Sequence, residues 1–169
     1  KGPPQLVLNG EFGAKGYDPV KGKELWFCKS FNGRGSPVPF HANGLIYVVN
    51  GKPGDLYVVD PNGSGDVTKT NMSWHAKRNG GRDLPSPAVI GDFVLVTAMG
   101  GVTSCYDAKT GKTHWVDRLE GSFSGSPLIS NGLYYIQNEA GVTFVVRPNE
   151  KELEISSRND LGASKDEIF

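Results

Sequence analysis

The chain has 169 residues, and its 18 Lys and Arg balance 18 Asp and Glu, so the formal net charge is zero at pH 7. Neither sign gathers in a block, which argues against nucleic acid or an anionic membrane surface as a partner. No run approaches the roughly 18 consecutive apolar residues of a membrane helix.

From the N-terminus, Lys1-Gly2-Pro3-Pro4 lacks the charged and apolar regions of a signal peptide, and the chain opens in mid-pattern, as it would with a leader removed or omitted. Residues 5–28 supply about three strands and contain the phrase Tyr17-Asp18-Pro19-Val20-Lys21-Gly22-Lys23-Glu24-Leu25-Trp26. Residues 38–74 read as four strands with Asn43-Gly44 as the first turn, and Val59-Asp60-Pro61-Asn62-Gly63 leads to Trp74 after an insertion. Residues 86–120 are the clearest unit: Pro87 to Ile90, the turn Gly91-Asp92, the β-prone run from Phe93 to Met99, Gly100-Gly101, and alternation from Val102 to Asp107. The unit finishes with Lys109-Thr110-Gly111 and a last strand that contains Trp115, so the phrase is written again as Tyr106-Asp107 to His114-Trp115. Residues 128–156 repeat the scheme with Asn131-Gly132 in the first turn, and Asn-Gly between apolar runs is the strongest short hairpin signal. Ser36-Pro37, Ser86-Pro87 and Ser126-Pro127 keep the same beat.

Repetition at about 40 to 50 residues is the spacing of propeller blades. We therefore expect an all-β fold, an arc of about four four-stranded antiparallel blades, with repeats over residues 5–35, 36–85, 86–125 and 126–169. No apolar period of 3.6 is sustained, which predicts almost no helix. The repeated phrase has a physical logic. Asp18, Asp60 and Asp107 end a strand where a carboxylate accepts hydrogen bonds from turn amides, and Gly22 and Gly111 supply a left-handed bend. Trp26, Trp74 and Trp115 then fall on the outermost strand, where an indole fills the wedge between blades and bonds its N–H to neighbouring backbone.

The pattern Asp-x-x-[Thr]-Gly-Lys-x-x-Trp at residues 107–115, and at 18–26 with Lys21 in place of threonine, resembles the tryptophan-docking repeat of the pyrroloquinoline-quinone-like β-propellers. That family includes quinoprotein alcohol dehydrogenases and the propeller lipoprotein of the bacterial outer-membrane barrel-assembly machine. The wider wording, Gly16 to Trp26 and Gly63-Ser64-Gly65-Asp66-Val67-Thr68, resembles secreted planctomycete-type repeat proteins of unassigned function. The resemblance implies an extracytoplasmic setting, periplasmic or secreted. It also implies a ring of about eight blades, so that these residues make half a ring whose ends are covered by a second copy, another chain or further blades.

Little else in the sequence points to chemistry. A quinone enzyme of this family would hold the quinone on a tryptophan floor, with calcium bound by glutamate, asparagine and aspartate, a catalytic aspartate, and often adjacent cysteines. Cys28 and Cys105 are the only cysteines and sit two units apart, so no disulfide is expected. His41, His75 and His114 are never paired at metal-ligand spacing. Gly111-Lys112-Thr113 lacks the first glycine of a phosphate loop, and residues 121–125 place Phe123 where a nucleophile elbow needs serine. A rim of Asp18, Asp60 and Asp107 is better explained by turn capping than by cation binding. Loops that break a regular scaffold are where function sits, so Asn62, Asp66, Lys69, His75, Lys77 and Arg78 are the candidate surface loop. No catalytic residue, metal or cofactor is expected. The expectation is a non-catalytic scaffold or binding module with a protein partner or further blades. The alternatives are a fragment of a quinone-dependent dehydrogenase, with quinone and calcium, or the sensor ectodomain of a signalling protein.

Overall fold

The computed structural model describes residues 2–29, 35–50, 52, 54–78 and 84–162, and there is no helix among them. Among the described residues, sixteen short strands form four sheets. The first contains β1 (Leu6–Gly10), β2 (Gly13–Tyr17) and β3 (Glu24–Lys29). The second contains β4 (Phe40–Ala42), β5 (Leu45–Val49), β6 (Leu56–Val59) and β8 (Met72–Ala76), and β7 (Gly65–Asp66) lies between β6 and β8 in sequence. The third is β9 (Ala88–Ile90), β10 (Phe93–Thr97), β11 (Val102–Asp107) and β12 (Thr113–Arg118). The fourth is β13 (Leu128–Ser130), β14 (Leu133–Gln137), β15 (Val142–Arg147) and β16 (Glu154–Asp160).

Three of the sheets are plain antiparallel meanders. Their hairpins follow from the turn residues: Asn43 and Gly44 have φ of 53° and 76°, and Asn131 and Gly132 have 50° and 74°. Two successive positive φ values match the strand twist, and asparagine is among the few side chains that tolerate one. The first sheet differs. Its fourth member is β7, which comes from the insertion in the second unit and runs parallel to β3, pairing Gly65 with Trp26 and Asp66 with Phe27. The outermost strand there is thus not the one that bears the tryptophan.

A shared bulge sets the four sheets in register. The ladder shifts once in each, and the pairs just beyond the shift are Gly16 with Trp26, Val58 with Trp74, Cys105 with Trp115, and Val145 with Ser157. The bulge makes β2, β6, β11 and β15 equivalent, and therefore β1 is the counterpart of β5, β10 and β14. Nothing equivalent to β4, β9 or β13 pairs with the free edge of β1 among the described residues.

Alternation turns one face of each sheet toward its predecessor and the other toward its successor, as the period of two requires. Trp26 and Cys28 pack on Ile46, Val48, Tyr57 and Val59. Tyr47, Leu56 and Val58 pack on Val89, Val94, Val96 and Tyr106. Leu95, Cys105 and Trp115 pack on Tyr134, Ile136, Phe144 and Val146. Among the described residues no apolar cluster joins the fourth sheet to the first, so the four sheets form an open arc of propeller blades. The Ser-Pro openings add polar ties between the strands that start the later sheets. Ser86 Oγ accepts from Val38 N at 2.9 Å, and the Ser126 hydroxyl meets Ser86 Oγ at 3.0 Å.

Candidate functional site

The repeated phrase builds the joints between blades. Trp74 donates its indole N–H to the Ala108 carbonyl of the next sheet at 3.1 Å, and the Tyr47 hydroxyl donates to the same oxygen at 3.0 Å. The indole lies 6.2 Å from the Tyr106 ring and covers Gly111 so closely that a Cβ there would meet Trp74 Cδ2 at 2.6 Å. Trp115 donates to the Asn149 carbonyl in the β15–β16 turn at 2.9 Å. Trp26 reaches its neighbour through a relay: its N–H donates to Gln5 Oε1 at 2.7 Å, and Gln5 Nε2 donates to the Pro61 carbonyl at 3.3 Å. Each indole is therefore tied to the phrase turn of the following sheet, with Gln5 an intermediary that the repeat pattern does not signal.

The three aspartates serve their own turns. Asp18 Oδ1 accepts from Val20 N and Lys21 N, Asp60 Oδ1 from Asn62 N, and Asp107 Oδ1 from Lys109 N and Thr110 N. The Thr110 hydroxyl and amide hold the Asp107 carboxyl below the usual carboxylate range. Asn149 takes this part in the fourth sheet, accepting from Lys151 N and Glu152 N. Among the described residues no three His, Cys, Asp or Glu side chains converge as a metal site.

The residues named for the candidate loop divide between the two ends of β8. At one end the insertion straps the first sheet: Val67 is buried, its N–H donates to the Phe27 carbonyl at 2.9 Å, and Lys29 N donates to Thr68 Oγ1 at 2.8 Å. Asp66 accepts from Thr68 N, and that hydroxyl and amide lower its pKa. Asn62 folds back on Asp60 through both backbone and side-chain nitrogens, and Lys69 is exposed. At the other end Lys77 is exposed, but Arg78 is buried rather than on a surface loop, because its guanidinium donates to the Gly54 carbonyl at 2.6 Å and reaches the Val96 carbonyl of the third sheet. His75 stacks on Tyr57 with centroids 4.3 Å apart and pairs with Asp55 at 3.2 Å. Asp55 also accepts from Arg78 N at 2.9 Å, and Asn50 Oδ1 accepts from Gly54 N and Asp55 N. Burial and the Asp55 charge push the Tyr57 phenol up to about 12. Arg78 is the part of this clamp that ties the second sheet to the third, while Tyr57 packs toward the first sheet and His75 stacks on it at the exposed edge; neither Asp55 nor Tyr57 belongs to a repeated phrase, so the pattern does not signal them.

Cys28 and Cys105 are buried and unbridged in separate clusters. Burial pushes their thiols to about 11 and about 12, which keeps both protonated and unreactive near neutral pH. A cleft of about 710 Å³ lies between the N-terminal segment and one rim of the second sheet, lined by Pro4, Gln5, Val7, His41, Ile46 and Asn62 among others. Its lining offers shape and apolar area with a single imidazole.

The sequence model of a family described as outer membrane protein assembly factor BamB matches residues 52–151, more than half of the chain. The chain belongs to that family. Solved structures agree with the fold of a BamB-type repeat. BamB from Moraxella catarrhalis superposes with a TM-score of 0.70 at 14% identity, over 93% of this chain and 46% of that one. The C-terminal WD40 domain of Sif2 gives 0.77 at 13% identity, over 96% and 47%. The quinohemoprotein alcohol dehydrogenase ADHIIG of Pseudomonas putida gives 0.61 at 20% identity, over 79% and 22%. The chain thus spans less than half the length of each of these. No curated protein matches the sequence, and the comparisons lend no support to the narrower planctomycete-type likeness.

Proposed function

We propose that this BamB-family chain is a non-catalytic scaffold, a β-propeller module that binds protein in an extracytoplasmic compartment. The observation that carries the reading is how the repeat spends its side chains: all three indoles and all three phrase aspartates are committed to joints and turns. What is left for function is surface, and the family's name is that of an assembly factor. That name also supports the location outside the cytoplasm.

A second reading, a segment of a quinone-dependent dehydrogenase, is favoured by the likeness to the quinohemoprotein alcohol dehydrogenase. A quinone would need an indole face open to it, and Trp26 and Trp115 are buried between sheets. Trp74 is partly buried and its ring lies on Gly111, so the three indoles favour the scaffold reading. The test is to titrate the chain with pyrroloquinoline quinone and calcium while following tryptophan emission and dye-linked oxidation of alcohols and sugars. We expect no saturable quenching and no turnover. Oxidation that depends on the quinone would overturn the scaffold reading.

A further inference from the structure

The insertion strand β7 shows what the outer edge of a sheet can hold. It adds to β3 in parallel, opposite Trp26 and Phe27, and the Phe27 carbonyl accepts from Val67 N at 2.9 Å. In an antiparallel ladder alternate residues turn their backbone groups to opposite sides, so Phe27 directs both its N–H and its C=O outward. The third sheet keeps the same register: Gly16 pairs with Trp26 and Lys15 with Phe27, as Cys105 pairs with Trp115 and Ser104 with Val116. Val116 therefore directs the same two groups along the outer edge of β12, and no strand pairs with that edge among the described residues. Its side chain is 57% exposed. The matching residues on β8 and β16 already have side-chain partners, His75 with Asp55 and Arg158 with Glu120.

The charges around Val116 define what fits beside it. Asp66 lies opposite Phe27, where the Thr68 hydroxyl and amide and then the Lys69 and Lys29 charges hold its carboxyl low. Arg118 stands in the place of Lys29, and its own N–H is satisfied by Asp117 Oδ1 at 2.7 Å, so nothing in the place of Thr68 is needed. The residue between differs. Val67 shares a buried cluster with Cys28, whose counterpart in the third sheet is the exposed Asp117. A basic side chain in the place of Val67 meets a carboxylate there. We propose that the outer edge of β12 is a strand-addition site for an extended segment of a partner protein, parallel to β12, with an acidic residue opposite Val116 and a basic residue after it. Backbone hydrogen bonds supply the affinity of such an added strand and its side chains the specificity. A second copy of this chain is not the source, because its own matching segment is the strap, which buried Val67 holds on β3. The inference rests on the scaffold reading and names the kind of partner that reading requires.

The probe is the blocked peptide Gly-Ser-Gly-Asp-Lys-Thr, the strap sequence with lysine in the place of Val67, added to the wild-type chain while amide chemical shifts are followed. We expect saturable shifts centred on residues 114–118, with a dissociation constant of about 1 mM or tighter. Val116→Pro removes the outward N–H and leaves the ladder to β11 in place, and it should weaken binding about tenfold, the effect of one lost hydrogen bond. Arg118→Glu, at an exposed position, serves if the proline variant misfolds, and it should weaken binding about threefold. Absence of shifts along β12, equal shifts along β8 or β16, or an affinity that neither substitution changes would overturn the proposal. So would shifts at residues 26–29, where the peptide would be displacing the strap, and so would self-association of the wild-type chain that protects the β12 amides from exchange. None of these results touches the scaffold reading itself, which falls instead to oxidation that depends on the quinone.

Discussion

Gly22 and Gly111 hold the same place in the repeated phrase and nearly the same backbone, with φ of 65° and 73°. A side chain at either pays for the left-handed conformation, about 1 kcal/mol. Only at 111 does the added carbon also press into the Trp74 ring, a contact no real Cβ makes without displacing its neighbour. We expect Gly22→Ala to lower stability in urea unfolding by about 1 kcal/mol, and Gly111→Ala to lower it by about 1–3 kcal/mol more, the range for overpacking. Equal losses would show that Trp74 does not sit on Gly111. Both glycines could be read from the sequence as turn residues, because local backbone geometry demands them. That one is covered and the other bare could not, because it depends on which sheet lies alongside.

At the scale of the element, the insertion between β6 and β8 shows how an irregular segment is put to structural use. A broken repeat reads as a functional loop, and residues 63–68 instead lay a parallel strand against β3 and bury Val67 beside Trp26. Two ladder pairs alone would hold such a short strand weakly, so the buried valine is its anchor. Val67→Ala should cost about 2 kcal/mol and shift Trp26 emission to the red, whereas Lys69→Ala on the exposed side of the same segment should stay within about 0.5 kcal/mol. A neutral Val67→Ala with unchanged emission would contradict the strap. The clamp of Asp55, His75 and Arg78 is similar in kind. Charged types at 75–78 stand out in the sequence, but the fold buries Arg78 by offering it carbonyl acceptors from two sheets.

Over the whole molecule, the arc explains why equivalent positions carry unequal weight. Leu8 and Val96 share a register, one on an open face and one beneath a neighbouring sheet. Leu8→Lys should leave the thermal midpoint nearly unchanged, because the ammonium stays in water. Val96→Lys buries an unpaired charge and should abolish the cooperative transition, a loss above about 4 kcal/mol. Comparable melts for the two variants would argue that the first sheet is covered in solution.

By itself the sequence determined the blade: the strand runs, the Asn-Gly hairpins, the aspartate-capped turn and the tryptophan that follows it, eight residues on at 26 and 115, are all set by contacts within about 40 residues. Those signals are local, because they rest on side-chain alternation and on backbone angles that few residue types tolerate. Tertiary structure alone decided the rest. It sent β7 to the first sheet, routed the Trp26 hydrogen bond through Gln5, buried Arg78, and left Leu6 and Leu8 exposed where Val94 and Val96 are covered. Each of these depends on which sheet stands beside which, and a pattern that repeats along the chain carries the same letters whether a neighbour is present or not.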